Sequence, residues 1–275
     1  MTALSGAHVL ITGGSRGIGQ ALARACASRG SILTLVARDA DALAVVAGEL
    51  HGTARPCDLT TRAAVAGLIA EIESNVGPID ILINNAGVLH ADSLLRQHHT
   101  ALSAMVDLNL VAPMELCRQV LPRMVERGHG HVVNISSLGA SGVFPGLAVY
   151  AATKAGLAHF TAGLRADLRG LPVRSTLVEL GPVPTDALAE TQQYRPAADS
   201  YQRAYRTRLL IDVPRELAAR AIVVAIEHDR RHVRIPRRAA LLAVTTELPR
   251  RLVELLLTGI NHQPDGTTTG EKSAG

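Results

Sequence analysis

The chain of 275 residues contains no tryptophan, and aromatic residues make up only 2% of it. A core of this size must therefore be built from Ala, Val, Leu and Ile, which favours helices packed on a parallel sheet. Long apolar runs are lacking too, since no stretch of about 18 uninterrupted apolar residues occurs, so we expect no membrane-spanning helix. The N-terminal segment lacks the pattern of an export signal, which predicts a cytoplasmic protein.

Cysteine is scarce as well. The three cysteines, Cys26, Cys57 and Cys117, lie far apart and show no metal or redox spacing, which is typical of a reduced compartment. We predict that they are small buried apolar side chains. The adjacent His98 and His99 cannot chelate one ion from a single helical face, so we predict no metal site.

Lysine is nearly absent, and the positive charge is carried by arginine, unevenly along the chain. Residues 195–251 hold 13 arginines against 6 acids. We interpret this region as a solvated helix surface, although it could also attract acidic substrate groups or anionic lipid. Nucleic acid is disfavoured because no binding motif or aromatic platform accompanies the charge.

Short apolar runs alternate strictly with segments of helical period. The predicted strands are His8–Thr12, Ile32–Ala37, Thr53–Cys57, Ile79–Asn84, His131–Ser136, Val173–Leu180 and His232–Ile235. The predicted helices are 17–29, 40–50, 61–75, 100–127, 149–169, 186–208 and 214–228. This alternation predicts an α/β fold with a doubly wound, Rossmann-type parallel sheet of about seven strands and helices on both faces. Ligands bind such folds at the carboxyl ends of the strands.

We expect one domain over residues 1–260. A short helix is predicted over 249–258, with Pro249 at its first turn and Gly259 just past its end. The helix is too apolar to lie freely in water, so burial against a neighbouring subunit or the domain itself is favoured over membrane contact. Residues 261–275 are predicted to form a flexible tail.

A glycine-rich loop directly follows the first predicted strand, where residues 12–19 read Thr-Gly-Gly-Ser-Arg-Gly-Ile-Gly. Gly13 permits the tight turn, Gly17 lets the backbone approach a pyrophosphate, and Gly19 lets the next helix pack closely on the sheet. The phosphates would then lie at a positive helix N-terminus. The loop therefore predicts a dinucleotide site.

The residues after the second strand predict which nicotinamide cofactor binds. The small Ala37 leaves room for a ribose 2′-phosphate, and Arg38 can bind that phosphate together with Arg16 of the loop. Asp39 would argue for NAD(H), but it lies two residues past the expected acid and suits an N-cap of the next helix. We therefore predict NADP(H) rather than NAD(H).

Tyr150 and Lys154 are four residues apart in a helical segment, so both side chains lie on one helix face. A nearby ammonium stabilises phenolate, which predicts a Tyr150 pKa below its usual value and a phenol suited to general acid catalysis. Ser137 ends the preceding strand and can stabilise the charge on a carbonyl oxygen. Ser136 is interpreted as structural, although the two serines could exchange roles.

Together these motifs resemble the short-chain dehydrogenase/reductase family from Thr12 to about Thr185. The residues that carry the resemblance are the glycine loop, Asp58-Leu59, Asn84-Asn85-Ala86-Gly87, Asn109, Ser137, and Tyr150 with Lys154. By that resemblance Tyr150 would donate the proton, Lys154 would hold the nicotinamide ribose, Ser137 would orient the carbonyl, and Asn109 would anchor a water linked to Lys154.

The resemblance also implies the cofactor contacts. Asp58 would hydrogen-bond the adenine, Leu59 would flank it, and Asn85, Ala86 and Gly87 would line the adenosine ribose. Val183 and Thr185 would contact the nicotinamide carboxamide. The remaining predicted contacts are Gly13, Ser15, Arg16, Gly17, Ile18, Gly19 and Arg38, with Tyr150 and Lys154 at the nicotinamide end.

Two departures from the family pattern affect the subunit contacts and the substrate pocket. Leu180-Gly181 replaces the common Pro-Gly, and Arg237-Arg238 with a further helix follows the last strand. We expect a homodimer or homotetramer. Residues 186–212 mix leucine, tyrosine and arginine, which predicts an apolar substrate that could carry an anionic group.

The sequence thus predicts an NADP(H)-dependent oxidoreductase that interconverts a carbonyl and an alcohol, acting chiefly as a ketone reductase. Its small-molecule substrate could be a long-chain 3-oxoacyl thioester or a hydrophobic ketone such as a steroid. The alternatives are a non-catalytic NADP(H)-binding regulator and a membrane-peripheral lipid reductase. The complete set of Asn109, Ser137, Tyr150 and Lys154 argues against the regulator.

Overall fold

The computed structural model describes residues 1–142, 144–208 and 210–236. Its parallel sheet has the strand order β3-β2-β1-β4-β5-β6-β7. The strands are β1 (His8–Thr12), β2 (Ile32–Ala37), β3 (Thr53–Pro56), β4 (Ile81–Asn84), β5 (Gly130–Ser137), β6 (Val173–Leu180) and β7 (His232–Ile235). The order reverses between β1 and β4, as in a doubly wound sheet, so the predicted fold class is confirmed.

Helices cover both faces of the sheet. They are α1 (Gly17–Ala27), α2 (Ala40–Glu49), α3 (Arg62–Val65), α4 (Leu68–Val76), α5 (His99–Val106), α6 (Ala112–Arg127), α7 (Ala148–Asp167), α8 (Asp186–Glu190), α9 (Arg195–Arg206) and α10 (Arg215–Glu227). Apolar residues of α1, α2 and α10 form the core on one face, and those of α4, α6 and α7 form the core on the other. The three cysteines are buried and free, as predicted.

Two predicted helices are interrupted. The helix expected over 61–75 breaks at Gly67, whose φ of +78° is left-handed and lies between α3 and α4. The helix expected over 186–208 is two helices, α8 and α9. Tyr194, whose backbone is extended (φ −107°, ψ 105°), precedes α9, and Pro196 in the first turn of α9 has no N–H with which to continue the hydrogen bonding of α8.

The helix predicted over 100–127 contains a wider turn. A π-helical segment, Asp107–Val111, separates α5 from α6, and Asn109 lies within it. Pro113 has no N–H with which to donate to the Asn109 carbonyl, so regular α-helical bonding cannot continue through this turn. Such π-turns often occur at functional sites, and this one carries a predicted catalytic residue.

By length and composition alone, the helical segment His99–Arg127 could cross a membrane. In the fold, however, α6 packs on the sheet through Leu116, Val120 and Met124, which are buried. We therefore interpret the segment as a core helix. The helix predicted over 249–258 and the tail predicted over 261–275 lie outside the described residues, as do Arg237 and Arg238.

Candidate active site

A cleft of about 1080 Å³ opens along the carboxyl ends of the strands. The predicted cofactor-binding residues that line it are Gly13, Ser15, Arg16, Gly17, Ile18, Gly19, Arg38, Leu59, Asn85, Ala86, Gly87, Val183 and Thr185. The predicted catalytic residues that line it are Ser137, Tyr150 and Lys154. Asp58 and Asn109 do not line the cleft, so the structure brings together all but two of the predicted residues.

The glycine loop is shaped by close backbone contacts. Gly13 has a φ of +70°, and a Cβ on it would lie 2.9 Å from the Asn85 Nδ2 atom. A Cβ on Gly19 would lie 2.0 Å from the Gly13 carbonyl oxygen, so no larger residue fits there. The first turn of α1 has no side-chain N-cap and no acid, which leaves its N–H groups available to an anion. These features fit the pyrophosphate of a dinucleotide.

Asn85 and Thr12 hold this loop in place. The Asn85 side-chain amide donates to the Thr12 carbonyl oxygen at 2.9 Å, and the Thr12 hydroxyl accepts from the backbone N–H groups of Asn85 and Ala86 at 3.0 Å each. The Asn85 amide is therefore engaged with protein backbone. Thr12 was not among the predicted site residues, although a hydroxyl at the end of the first predicted strand could have indicated such a role.

Three of the residues that were predicted to bear on the choice of cofactor, Ala37, Arg38 and Asp39, end or follow β2. Ala37 and Arg38 line the cleft. The Asp39 carboxylate accepts from the Ala42 backbone N–H at 3.0 Å, so its predicted role as the N-cap of α2 is confirmed. The Arg16 Nη1 atom donates to the Asp186 Oδ2 atom at 2.5 Å, an ion pair that the sequence did not suggest.

Asp58 lies beside the cleft and makes a local turn. Its Oδ1 atom accepts from the Thr60 backbone N–H at 3.0 Å and from the Thr60 hydroxyl at 2.8 Å. The backbone bond from Thr60 holds the Asp58 pKa below its usual value, and the charge of Arg38 acts in the same direction. One carboxylate oxygen of Asp58 is thus already occupied, and the predicted adenine contact stays a prediction.

The two serines at the end of β5 have different surroundings. Ser136 is buried, and its hydroxyl donates to the Lys154 backbone carbonyl at 2.8 Å, which supports the structural interpretation. Both serines line the cleft, but Ser137 is partly exposed, and its hydroxyl accepts from the Gly139 N–H at 3.0 Å. Ser137 is therefore the serine that a substrate can reach.

Burial has the largest effect on the pKa of the Tyr150 phenol. Desolvation raises the pKa of its phenol above the usual value, and a hydrogen bond with the Ser137 side chain opposes that rise. The sequence-based expectation of a lowered Tyr150 pKa is wrong for this structure, because loss of water outweighs any stabilisation of phenolate. The phenol is consequently protonated at neutral pH and able to donate its proton.

Lys154 is a buried ammonium, 6% exposed, that lies against the sheet. Its Nζ atom donates to the Ile135 carbonyl oxygen at 3.0 Å. Burial lowers its pKa to about 8. A Cβ on Gly87 would lie 3.3 Å from the Lys154 Nζ atom, so glycine at that position leaves space beside the ammonium.

Asn109 connects the π-helical segment to the chain that follows β4. Its Oδ1 atom accepts from the Val88 N–H at 2.8 Å, and its Nδ2 atom donates to the Val88 carbonyl at 2.9 Å and to the Thr153 hydroxyl at 3.2 Å. The side chain is fully buried by these partners. Its amide thus fixes the backbone next to Gly87, and the predicted water relay through Asn109 stays a prediction.

Aromatic side chains, rare in this chain, concentrate at the far end of the cleft. Phe144 and Tyr201 line it beside Tyr150, with the Phe144 and Tyr201 ring centroids 4.8 Å apart. Tyr205 packs on Tyr201 at 6.4 Å. Leu188 also lines this apolar wall, within the predicted substrate segment. Phe144 was missed, although it is one of only two phenylalanines in the sequence.

The histidines have structural surroundings. His98 accepts from the Thr100 N–H at the start of α5. His131 is buried beside the Thr176 hydroxyl at 2.8 Å, and burial lowers its pKa to about 4. Within residues 1–142, 144–208 and 210–236, no group of three or more His, Cys, Asp or Glu is placed to hold a metal ion.

Comparisons with known proteins agree with this geometry. A ketoacyl reductase of Nostoc sp. (strain PCC 7120) is 38% identical over 183 residues, which are 65% of this chain and 64% of that protein. A fatty acyl-CoA reductase of Mycobacterium tuberculosis is 34% identical over 234 residues, which are 78% of this chain and 79% of that protein. The chain thus spans slightly less than two thirds of the first relative and more of the second.

A short-chain dehydrogenase from Sphingobium yanoikuyae, solved in complex with NADPH, superposes with a TM-score of 0.77 and 26% identity, covering 95% of this chain and 99% of that one. Some of the solved structures that resemble this chain carry NADP or NADPH, and another carries NAD. The family model for short chain dehydrogenases matches residues 7–196. The chain therefore belongs to the short-chain dehydrogenase/reductase family of carbonyl/alcohol oxidoreductases.

Proposed function

We propose that this protein is an NADPH-dependent reductase of ketones, with an apolar or acyl-type substrate. The observation that carries the proposal is that Ser137, Tyr150 and Lys154 line the same cleft as the glycine loop, next to an apolar wall. A protein that only bound the cofactor would need neither a proton donor nor an apolar pocket beside it.

Each polar side chain has a separate task in the proposed reaction. When bound, the nicotinamide supplies the hydride that reduces the carbonyl carbon. Ser137 donates a hydrogen bond to the substrate oxygen and stabilises the negative charge that forms there. Tyr150, whose phenol is held protonated by burial, gives its proton to the same oxygen.

Lys154 has two tasks in this proposal. Its ammonium would hold the ribose hydroxyls next to Gly87, where a missing side chain leaves space. Its positive charge would also favour transfer of the Tyr150 proton to the substrate oxygen, because a cation lowers the free energy of the phenolate that this transfer leaves. Asn109 supports both tasks by fixing the Val88 backbone.

The preference for NADPH rests on charge at the adenosine end of the cleft. Arg16 of the glycine loop and Arg38 after β2 line the cleft, and Ala37 places no acid at the strand end. Asp39, the acid that argued for NAD(H), is engaged by the α2 backbone. Guanidinium groups bind phosphate through paired charge-assisted hydrogen bonds, which NADH does not offer at its 2′-hydroxyl.

The substrate class rests on the apolar wall. Phe144, Leu188 and Tyr201 would bury an aliphatic chain or a ring system beside Tyr150. Relatives that are named for ketoacyl and fatty acyl-CoA reduction favour an acyl substrate. A 3-oxoacyl thioester combines a ketone with such a chain, and a hydrophobic ketone such as a steroid is the second substrate class to test.

The test is NADPH oxidation by the purified protein against a panel of 3-oxoacyl thioesters, steroid ketones, quinones and small aldehydes, with NADPH and NADH binding measured in parallel. NADPH-dependent turnover that increases with chain length or ring size supports the proposal. Tight NADPH binding without turnover on any class would favour a regulator, and a preference for NADH would refute the assigned roles of Arg16 and Arg38.

A further inference from the structure

Asp186 places a carboxylate in a cleft that suits an anionic cofactor. It is the first residue of α8 and lines the cleft beside Thr185. Its Oδ2 atom accepts a hydrogen bond from the Arg16 Nη1 atom at 2.5 Å. The two residues are 170 positions apart in sequence, so this ion pair joins two distant parts of the chain.

The ion pair bridges the two walls of the cleft. Arg16 belongs to the glycine loop, and a Cβ on its neighbour Gly17 would lie 3.4 Å from the Thr185 Cγ2 atom. The segment that leads into α8 therefore lies against the loop that would hold the pyrophosphate. Arg38, by contrast, has no ion pair within 4.0 Å among the described residues.

The proposed NADPH preference assigns the Arg16 guanidinium to the ribose 2′-phosphate. In this structure the same guanidinium is held by Asp186 instead. A donor that is directed at a carboxylate across the cleft is not directed at a phosphate at the end of β2. Asp186 and the 2′-phosphate therefore compete for the Arg16 guanidinium.

We propose that Asp186 sets the affinity for NADPH by competing with the 2′-phosphate for Arg16. The inference rests on the proposed function, in which NADPH is the cofactor. Binding of NADPH frees Asp186 and so releases the tie between the glycine loop and α8, whereas NADH leaves the pair intact. Asp186 is therefore a specificity residue that weakens the binding of one cofactor and not of the other.

The expected change in NADPH affinity depends on how exposed the Arg16–Asp186 ion pair is. The side chains of Arg16 and Asp186 are each 75% exposed, so water and salt screen the pair. We expect Asp186→Asn to lower the Kd for NADPH about two- to fivefold at low ionic strength, with little change for NADH. The gain in NADPH affinity should decrease as salt is added, because salt screens the attraction between Asp186 and Arg16 in the wild type.

The test is a double-mutant cycle on the full chain, with Kd values for NADPH and NADH from fluorescence titration of wild type, Asp186→Asn, Arg16→Ala and the double variant. The inference requires that Asp186→Asn tighten NADPH binding only where Arg16 is present. Asp199→Asn is the matched control, since it removes the same charge from an ion pair with Arg195 outside the cleft and should change neither Kd.

Three results would overturn the inference: no tighter binding of NADPH, an equal gain for NADPH and NADH, or a gain that persists without Arg16. A wild type with no measurable affinity for NADPH would refute the proposed function and the inference together. Normal NADPH affinity in the wild type, unchanged by Asp186→Asn, would refute the inference alone.

Discussion

The Lys154 ammonium nitrogen donates a 3.0 Å hydrogen bond to the Ile135 carbonyl oxygen, on the strand that presents Ser137 two residues later. The lysine is therefore fixed to the same strand as Ser137, the serine that we propose to bind the substrate oxygen. Because the ammonium is buried there, its pKa is lowered to about 8. Keeping it charged in the folded chain lowers the free energy of unfolding.

This burial predicts a pH dependence of stability. Below pH 8 Lys154 is charged in both the folded and the unfolded chain, and above its unperturbed pKa of 10.5 it is neutral in both. Between these values the unfolded chain binds more protons, so the free energy of unfolding contributed by Lys154 rises with pH, by roughly 3 kcal/mol or less.

Chemical denaturation of wild type and Lys154→Met between pH 7 and about 10.5 checks this prediction. The buried cysteines titrate in both proteins, so their contributions cancel in the difference. The wild type should gain stability relative to the variant as the pH rises. Parallel curves would contradict a lowered Lys154 pKa.

Ser137→Ala and Ser136→Ala should separate catalysis from structure. We expect Ser137→Ala to lower kcat about 10²- to 10³-fold, because the proposed bond to the substrate oxygen is lost, and to lower the free energy of unfolding by no more than about 1 kcal/mol, because the bond from the Gly139 N–H is only partly buried. Ser136→Ala removes a buried bond to the Lys154 carbonyl and should lower the free energy of unfolding by about 1–3 kcal/mol. Kinetics and denaturation of both variants test the assignment, and an inverted pattern would exchange the two roles.

The glycine loop should not accept a methyl group at its last glycine, Gly19. A Cβ on Gly19 would strike the Gly13 carbonyl oxygen, so Gly19→Ala should lower the free energy of unfolding by about 1–3 kcal/mol and weaken cofactor binding. Gly163→Ala is the matched control, because a Cβ there meets no atom within 4 Å in helix α7. That control should be neutral or slightly stabilising.

Cofactor preference should follow the charge at the end of β2. Ala37→Asp adds an acid that repels a 2′-phosphate and can bind a ribose hydroxyl, so the NADPH-to-NADH preference should shift toward NADH about 10- to 100-fold. Titration with both cofactors measures the shift. Asp41→Asn removes an exposed acid of α2 that does not line the cleft, so it should leave the preference unchanged. An unchanged ratio in Ala37→Asp would mean that the phosphate lies elsewhere.

Much of the fold could be predicted because each buried strand is a short apolar run. The bounds of β1, β2, β6 and β7 are those that the sequence predicts. The helical spacing of the apolar residues did not reveal the break at Gly67, since that spacing continues on both sides of a left-handed glycine. Local pattern therefore identifies the elements better than it identifies their interruptions.

The site was predictable where function needs a particular residue at a strand end. Ser137 and Gly13 are recognisable from sequence for that reason. The Arg16–Asp186 pair was not, because nothing local relates a residue of the glycine loop to the first residue of α8. The raised pKa of Tyr150 was not predictable either, because it arises from burial by the assembled fold.

The most direct test of the account is the kinetics of Tyr150→Phe on the ketone that the wild type reduces best, with the Kd for NADPH measured on the same protein. In the proposed reaction the phenol transfers a proton, so kcat should fall about 10²- to 10⁴-fold while the Kd for NADPH stays within about threefold of the wild-type value. Retained turnover, or a loss that is matched by loss of NADPH binding, would contradict Tyr150 as the proton donor of a carbonyl reductase.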